Sequence, residues 1–212
     1  MADSNGGRSA RGAHAKKFLR AVSAQTGGGK AMKVTPLAIP EVKLITPKVF
    51  GDARGYFMES WNAQRFREVG LDLEFVQDNQ SGSRHGTLRG LHYQIQHPQG
   101  KLVRVTNGTV FDVAVDMRAG SPTFGAWVGC CLSAENRQML WVPEGFAHGF
   151  YVMSEFAEFQ YKCTDVYAPE FERTVMWNDP DIGIDWPLEG IEPLTSEKDA
   201  NGVAFSQAEA YP

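Results

Sequence analysis

Residues 110–116 read Val110-Phe111-Asp112-Val113-Ala114-Val115-Asp116. Side chains alternate across an extended chain, so Phe111, Val113 and Val115 share one face while Asp112, Ala114 and Asp116 share the other. A period of two predicts a half-buried strand, not a helix. Residues 157–164 repeat the logic: Phe159, Tyr161 and Cys163 point one way, Glu158, Gln160 and Lys162 the other. Outward from these two segments, short β-branched or aromatic runs recur at 102–106, 126–132, 139–142 and 149–153, separated by turns such as Asn107-Gly108 and Pro143-Glu144-Gly145. One helix is expected over 63–69, capped by Asn62 and stopped by Gly70. The fold class that follows is all-β with a few short helices. So many short antiparallel strands in one chain favour a jelly-roll barrel, which limits exposed sheet edges. A barrel of this size encloses a cavity where inward polar side chains meet a small ligand.

The 212 residues, 42% hydrophobic and 22% charged, suit one globular domain with or without a tail. Twenty-one Lys and Arg against twenty-five Asp and Glu give a net charge of −4, which leaves no basic field for nucleic acid or an anionic membrane. Residues 1–31 differ from the body: Arg8, Arg11, Lys16, Lys17, Arg20 and Lys30 oppose Asp3 alone, amid Gly, Ser and Ala. They read as a flexible basic tail of no assigned function, ahead of a single domain over 32–212. No apolar run is long enough to span a bilayer and the start lacks a secretory core, so the expectation is a soluble, cytoplasmic protein with no membrane partner. Cys130, Cys131 and Cys163 form neither a disulfide framework nor a metal pair and are expected to be buried as small apolar residues.

Polar residues on strand segments call for explanation, because a barrel's inward faces should be apolar. In Arg89-Gly90-Leu91-His92-Tyr93-Gln94, alternation puts Arg89, Leu91 and Tyr93 on one face and Gly90, His92 and Gln94 on the other. Lys101 follows a glycine turn and opens an apolar strand, Tyr161 lies on the apolar side of its segment, and His148 follows the Pro143-Glu144-Gly145 turn. His148 alone fits a metal ligand or a core histidine. A cupin-type metal site needs a His-x-His pair, yet the segment here reads His92-Tyr93-Gln94, so no catalytic metal is expected. There is also no Gly-x-Gly-x-x-Gly, no Walker lysine and no Gly-x-Ser-x-Gly elbow.

Read together, these segments closely resemble the dTDP-4-dehydrorhamnose 3,5-epimerase family of cupin-fold sugar-nucleotide epimerases. The likeness runs from about Val34 to Phe205. It is carried by Phe50-Gly51-Asp52-Ala53-Arg54-Gly55-Tyr56-Phe57-Met58-Glu59-Ser60, Phe75-Val76-Gln77-Asp78-Asn79, the 89–94 segment, Gly100-Lys101-Leu102-Val103-Arg104 and the 111–116 segment. Further on it is carried by the 141–150 segment, Tyr161-Lys162-Cys163-Thr164-Asp165 and Ser196-Glu197-Lys198-Asp199. Each motif alone is weak, but their order and spacing are specific.

The resemblance implies a cupin-type jelly roll and a homodimer sharing a strand across its interface. It also implies inversion of C3 and C5 of dTDP-4-dehydro-6-deoxy-D-glucose without a cofactor. His92 then matches the base, Asp199 its dyad partner, Tyr161 the acid on the opposite face and Lys101 the group that meets the C4 oxyanion. Arg54 and Arg89 match diphosphate contacts, and Glu59, Gln77 and Asn79 match contacts to the thymidine end. His148, Glu172 and Lys198 match further ligand contacts, with Tyr167 near the base. Many relatives read Asn-His-Ser where this chain has Asn79-Gln80-Ser81, and Asp165 replaces an Asn seen in some. Two alternatives stand beside the double epimerase: a dTDP-4-keto-sugar monoepimerase acting at C3 or C5 alone, and a non-catalytic or metal-binding cupin.

Overall fold

The computed structural model describes residues 31–212, so the tail expected over 1–31 lies outside the described residues but for Ala31. In chain order the described residues form β1 (Lys33–Pro36), β2 (Lys43–Thr46), β3 (Val49–Asp52), β4 (Gly55–Met58), α1 (Ala63–Glu68), β5 (Gln77–Arg84) and β6 (Leu88–Gln94). There follow β7 (Lys101–Asn107), β8 (Thr109–Asp116), β9 (Trp127–Ser133), β10 (Met139–Val142), β11 (Phe146–Val152), β12 (Phe156–Cys163), β13 (Glu172–Thr174) and α2 (Glu197–Ala200).

Two antiparallel sheets pack face to face. One has the order β1-β2-β10-β7-β12-β5 and the other β13-β6-β11-β8-β9, with β3 and β4 forming a separate hairpin. Neighbours within each sheet are mostly not consecutive in sequence, because the chain crosses repeatedly between layers, as a jelly roll requires. Val103 and Val105 on β7 and Phe159 on β12 meet Val110 and Ala114 on β8 and Phe150 on β11 in the core between the sheets. The rings of Phe150 and Phe159 stack across that gap at 4.2 Å and 15°. The apolar alternation that marks these strands in the sequence therefore builds the inter-sheet core directly.

Expected α1 is present, with Asn62 capping through a hydrogen bond from the Arg65 N–H at 3.1 Å. Gly70 beyond it takes φ +81°, a conformation that favours glycine. Two expectations are corrected. First, β8 is not half-buried: Val110 through Asp116 are all buried. Its outer face is covered by the C-terminal stretch, where Ile182, Trp186, Phe205 and Tyr211 pack with Phe111, Val113 and Val115. Alternation in residues 110–116 thus separates two cores rather than core from solvent. Second, Cys130 and Cys163 are buried but Cys131 is exposed. β9 is an edge strand and turns Cys131 outward.

At the end of β8, buried Asp116 accepts from Arg118 Nη2 (2.7 Å), Ser121 Oγ (2.6 Å) and Thr123 Oγ1 (2.6 Å), which pins the connection to β9. Burial alone would raise its pKa, but these bonds outweigh burial and bring it down to about 2. A depressed carboxyl contributes stability above its unfolded pKa of about 3.9 and loses it as pH falls through the folded value. Asp116→Asn should therefore lower the unfolding free energy by about 1–3 kcal/mol near neutral pH. In urea melts the gap from the native chain should close as pH falls from about 4 towards about 2; a gap independent of pH would refute this role.

Candidate active site

A cavity of about 420 Å³ opens between the two sheets, floored by Phe150 and Phe159. The five-stranded sheet supplies Arg89 and His92 from β6 and His148 from β11. The six-stranded sheet supplies Lys101 from β7, Tyr161 from β12, and Gln77 and Asn79 from β5. Tyr167, Glu172 and two α2 residues, Lys198 and Asp199, line it too. Eleven of the thirteen residues singled out in the sequence thus line one cavity.

Arg54 and Glu59 do not. Arg54 lies in the β3–β4 hairpin with its side chain 89% exposed, 2.5 Å from Asp52. Glu59 pairs with Arg65 at 2.9 Å and accepts from Asn62 beside α1. Within one chain these two serve local pairing, each with a charged neighbour in its own stretch of sequence. Another depression, of about 430 Å³, lies over the six-stranded sheet. Its polar groups satisfy one another: Lys162 with Asp78 at 2.9 Å, Arg104 with Gln160 at 2.8 Å, and Gln160 with Gln80 at 3.0 Å. The Gln80 departure noted in the sequence belongs to this pairing, and the Asp165 departure sits 3.3 Å from His97 Nδ1.

The alternation expected over 89–94 is broken, and the break shapes the site. His148 pairs with His92 and Phe150 with Arg89, so Gly90 and Leu91 stand opposite Gly149 alone. This β-bulge brings Arg89 and His92, three residues apart, to the same cavity, while Leu91 and Tyr93 turn into the outer core. A Cβ on Gly90 would stand 2.5 Å from Gly149 Cα, so only glycine fits that crossing.

His92 Nε2 lies 2.7 Å from Asp199 Oδ1. Asp199 is held independently of His92: the Gly90 N–H donates to Oδ1 at 3.2 Å and the Ser196 hydroxyl to Oδ2 at 2.6 Å. Burial would raise the Asp199 pKa, but the bonds from His92 and Ser196 reverse this and hold the carboxyl well below the usual range. Ser196 was missed in the sequence, although Ser196-x-x-Asp199 is a capping-box spacing and both reciprocal bonds are formed. Asp112 was missed too. It reads as the polar side of a strand but is buried under His148, whose Nε2 lies 2.9 and 3.1 Å from its two oxygens.

On the opposite wall, burial raises the Tyr161 pKa, so the phenol keeps its proton at neutral pH. Burial lowers the Lys101 pKa, opposed by the charges of Cys163, Glu172 and Asp112. Around the cavity's edge Glu172 accepts from Tyr167 Oη and Lys198 Nζ, both at 2.8 Å, and Gln77 accepts from the Tyr167 N–H at 2.8 Å. An imidazole on one wall, a phenol on the other and an ammonium beside them can take a proton from one side of a bound carbon acid, return one from the other, and stabilise the anion between. Among the described residues, no group of three His, Cys, Asp or Glu side chains converges in a metal-holding arrangement.

A family model described as dTDP-4-dehydrorhamnose 3,5-epimerase matches residues 36–207. A dTDP-4-dehydrorhamnose 3,5-epimerase from Pseudomonas aeruginosa is 62% identical over 182 residues, covering 85% of this chain and 100% of the relative. Among solved structures, the dTDP-6-deoxy-D-glucose-3,5-epimerase RmlC of Legionella pneumophila, in complex with dTDP-4-keto-L-rhamnose, is similar with a TM-score of 0.81 at 54% identity, covering 84% of this chain and 95% of that one. ChmJ, a 3'-monoepimerase from Streptomyces bikiniensis in complex with dTDP-quinovose, gives a TM-score of 0.76 at 36% identity, covering 81% and 87%.

Proposed function

The chain belongs to the dTDP-4-dehydrorhamnose 3,5-epimerase family, and we propose that His92, Asp199, Tyr161 and Lys101 carry its reaction. The enzyme inverts C3 and C5 of dTDP-4-dehydro-6-deoxy-D-glucose to give dTDP-4-dehydro-L-rhamnose, in dTDP-L-rhamnose biosynthesis. Both carbons flank the C4 ketone, so removing either proton sends the C–H electron pair to the carbonyl oxygen as an enolate. Inversion needs the proton back on the other side, since return from the same side restores the starting configuration. The observation that carries this reading is that His92 and Tyr161 line one cavity from opposing sheets.

His92 takes the proton, and the ionised Asp199 stabilises the imidazolium that results, as in the hydrolase triads. Lys101 donates to the C4 oxyanion. Tyr161 gives its phenolic proton to the far face of the enolate carbon, and the C–H bond formed there regenerates the ketone. His92 loses its proton to solvent and Tyr161 regains one, so no electrons leave the sugar and the cycle calls for no cofactor. Arg89 suits a diphosphate oxygen, because a guanidinium fork matches phosphate geometry. His148, Glu172, Lys198, Gln77, Asn79 and Tyr167 contact the remainder of the nucleotide sugar. The body over 32–212 acts as one domain.

The β3–β4 hairpin supports a homodimer. It exposes Phe50, Tyr56 and Phe57 together with Arg54, an apolar and cationic surface that a second copy would cover while Arg54 reached a diphosphate in that copy's cavity. Light scattering at micromolar concentration should give twice the chain mass, and Arg54→Ala should weaken dTDP binding; a monomer of full activity refutes the exchange.

Proton NMR in heavy water with the 4-keto sugar nucleotide tests the reaction. Deuterium should enter at both C3 and C5 without added cofactor or metal. Label at one carbon alone would favour a monoepimerase, the reading that the likeness to ChmJ raises. His92→Asn should abolish exchange while leaving dTDP affinity largely intact, and Tyr161→Phe should retain exchange but lose inversion. Equal loss of both in Tyr161→Phe would count against an acid on the opposite face.

Lys101 sets a pH dependence. Its charge is needed below its pKa, and burial brings that value under the ordinary lysine range, so kcat/KM should fall on the alkaline side earlier than a free lysine would cause. Lys101→Met should cost about 100- to 1,000-fold in kcat, the usual loss for one oxyanion donor, and remove that alkaline fall from the residual rate. An alkaline limb identical in Lys101→Met would assign it to another group.

A further inference from the structure

His148 and Asp112 form a second imidazole–carboxylate pair on the wall that carries His92, and the proton transfers described above leave it unused. β11 and β6 register His148 directly against His92, so the two imidazoles stand side by side on one sheet. Asp112 is 0% exposed, and its same-face neighbours on β8, Val110 and Ala114, belong to the inter-sheet core. A carboxylate is costly there unless paired, and an apolar residue would suit the strand better. Its pairing is specific: both oxygens address His148 Nε2, at 2.9 and 3.1 Å. A nitrogen held between two carboxylate oxygens carries the proton. No described residue hydrogen-bonds the other ring nitrogen, Nδ1, while Phe159 stacks on the ring at 6.0 Å and 28° and fixes its plane.

The chemistry of the cavity shows what that arrangement supplies. Lys101, Lys198 and the Tyr161 hydroxyl present donors to the cavity that would hold the sugar, and Arg89 presents one for its diphosphate. The Glu172 carboxylate is already engaged by Tyr167 and Lys198. A sugar hydroxyl has a proton to donate as well, and an imidazole with its proton directed away from the sugar offers the lone pair to receive it. We propose that Asp112 is a positioning residue: by taking the Nε2 proton of His148 between its two oxygens, it fixes the tautomer whose Nδ1 lone pair accepts a hydrogen bond from a hydroxyl of the sugar. This assignment rests on the nucleotide-sugar reading of the cavity. Asp112 itself acts through His148.

The test is nitrogen-15 NMR of the histidine rings in the full chain, with the His148 signals assigned by their loss in His148→Asn. Without substrate, His148 should be neutral with its proton on Nε2. A ring protonated on Nδ1, or on both nitrogens, overturns the proposal even if no Asp112 variant folds, and this readout does not depend on turnover. Asp112→Asn should redistribute the tautomers, leave the Kd for dTDP within about twofold and lower kcat at least tenfold. Because the effect passes through His148, adding Asp112→Asn to His148→Asn should change kcat by less than twofold. Independent, multiplying losses in the double variant, or an Asp112→Asn enzyme of native kcat, overturn the proposal. Failure of the native enzyme to turn over the 4-keto sugar would refute the function instead, and leave the tautomer result standing.

Discussion

The carboxylate of Asp199 is the point where the fold and the site are tied together. It is buried, stands 2.7 Å from His92 and is held by the Ser196 hydroxyl and the Gly90 N–H. A buried charge without such partners is unstable, so α2 must seat against β6 for either element to be satisfied. That seat depends on the bulge at Gly90 and Leu91, which frees the Gly90 N–H for Asp199 and brings Arg89 and His92 to the same cavity. It depends equally on the chain around α2: the Val203 N–H donates to Thr174 O and the Met176 N–H to Val203 O, which joins the segment after α2 to the end of β13.

Much of this was legible in the sequence. Alternation in residues 110–116 and 157–164 fixes two strands, and the jelly roll follows from the density of such segments. Alternation did not reveal what covers the second face of β8, because apolar residues of a sandwich and of an outer layer obey the same period of two. The aromatic residues that do the covering, Trp186, Phe205 and Tyr211, come from a stretch without regular periodicity. Their contacts depend on tertiary folding alone.

The site was legible through residue identity more than through pattern. Tyr161 and Lys101 are polar residues at positions where the strand faces inward, and the structure turns both into the cavity. His92 and Arg89 fall on opposite faces by simple counting, and a bulge carried by two adjacent glycine contacts reverses that count. Asp112 escaped notice because a strand's polar side reads as solvent-facing until its environment is known. Arg54 and Glu59 sit in a tight motif whose residues are adjacent in sequence yet outside the cavity of their own chain.

The C-terminal stretch closes its contacts over long spans of chain. Gly90 and Asp199 are separated by 109 residues, and the Tyr211 hydroxyl donates to Gln94 O across 117. Pairs inside the sheets close almost as far, since Met139 of β10 meets Ile45 of β2 from 94 residues away, so loop closure sets the C-terminal contacts little apart from the sandwich itself. Every strand of both sheets ends by Thr174, whereas Asp199 sits on α2, so a chain that stopped short of α2 would keep all the residues of the sandwich and leave its base without a carboxylate.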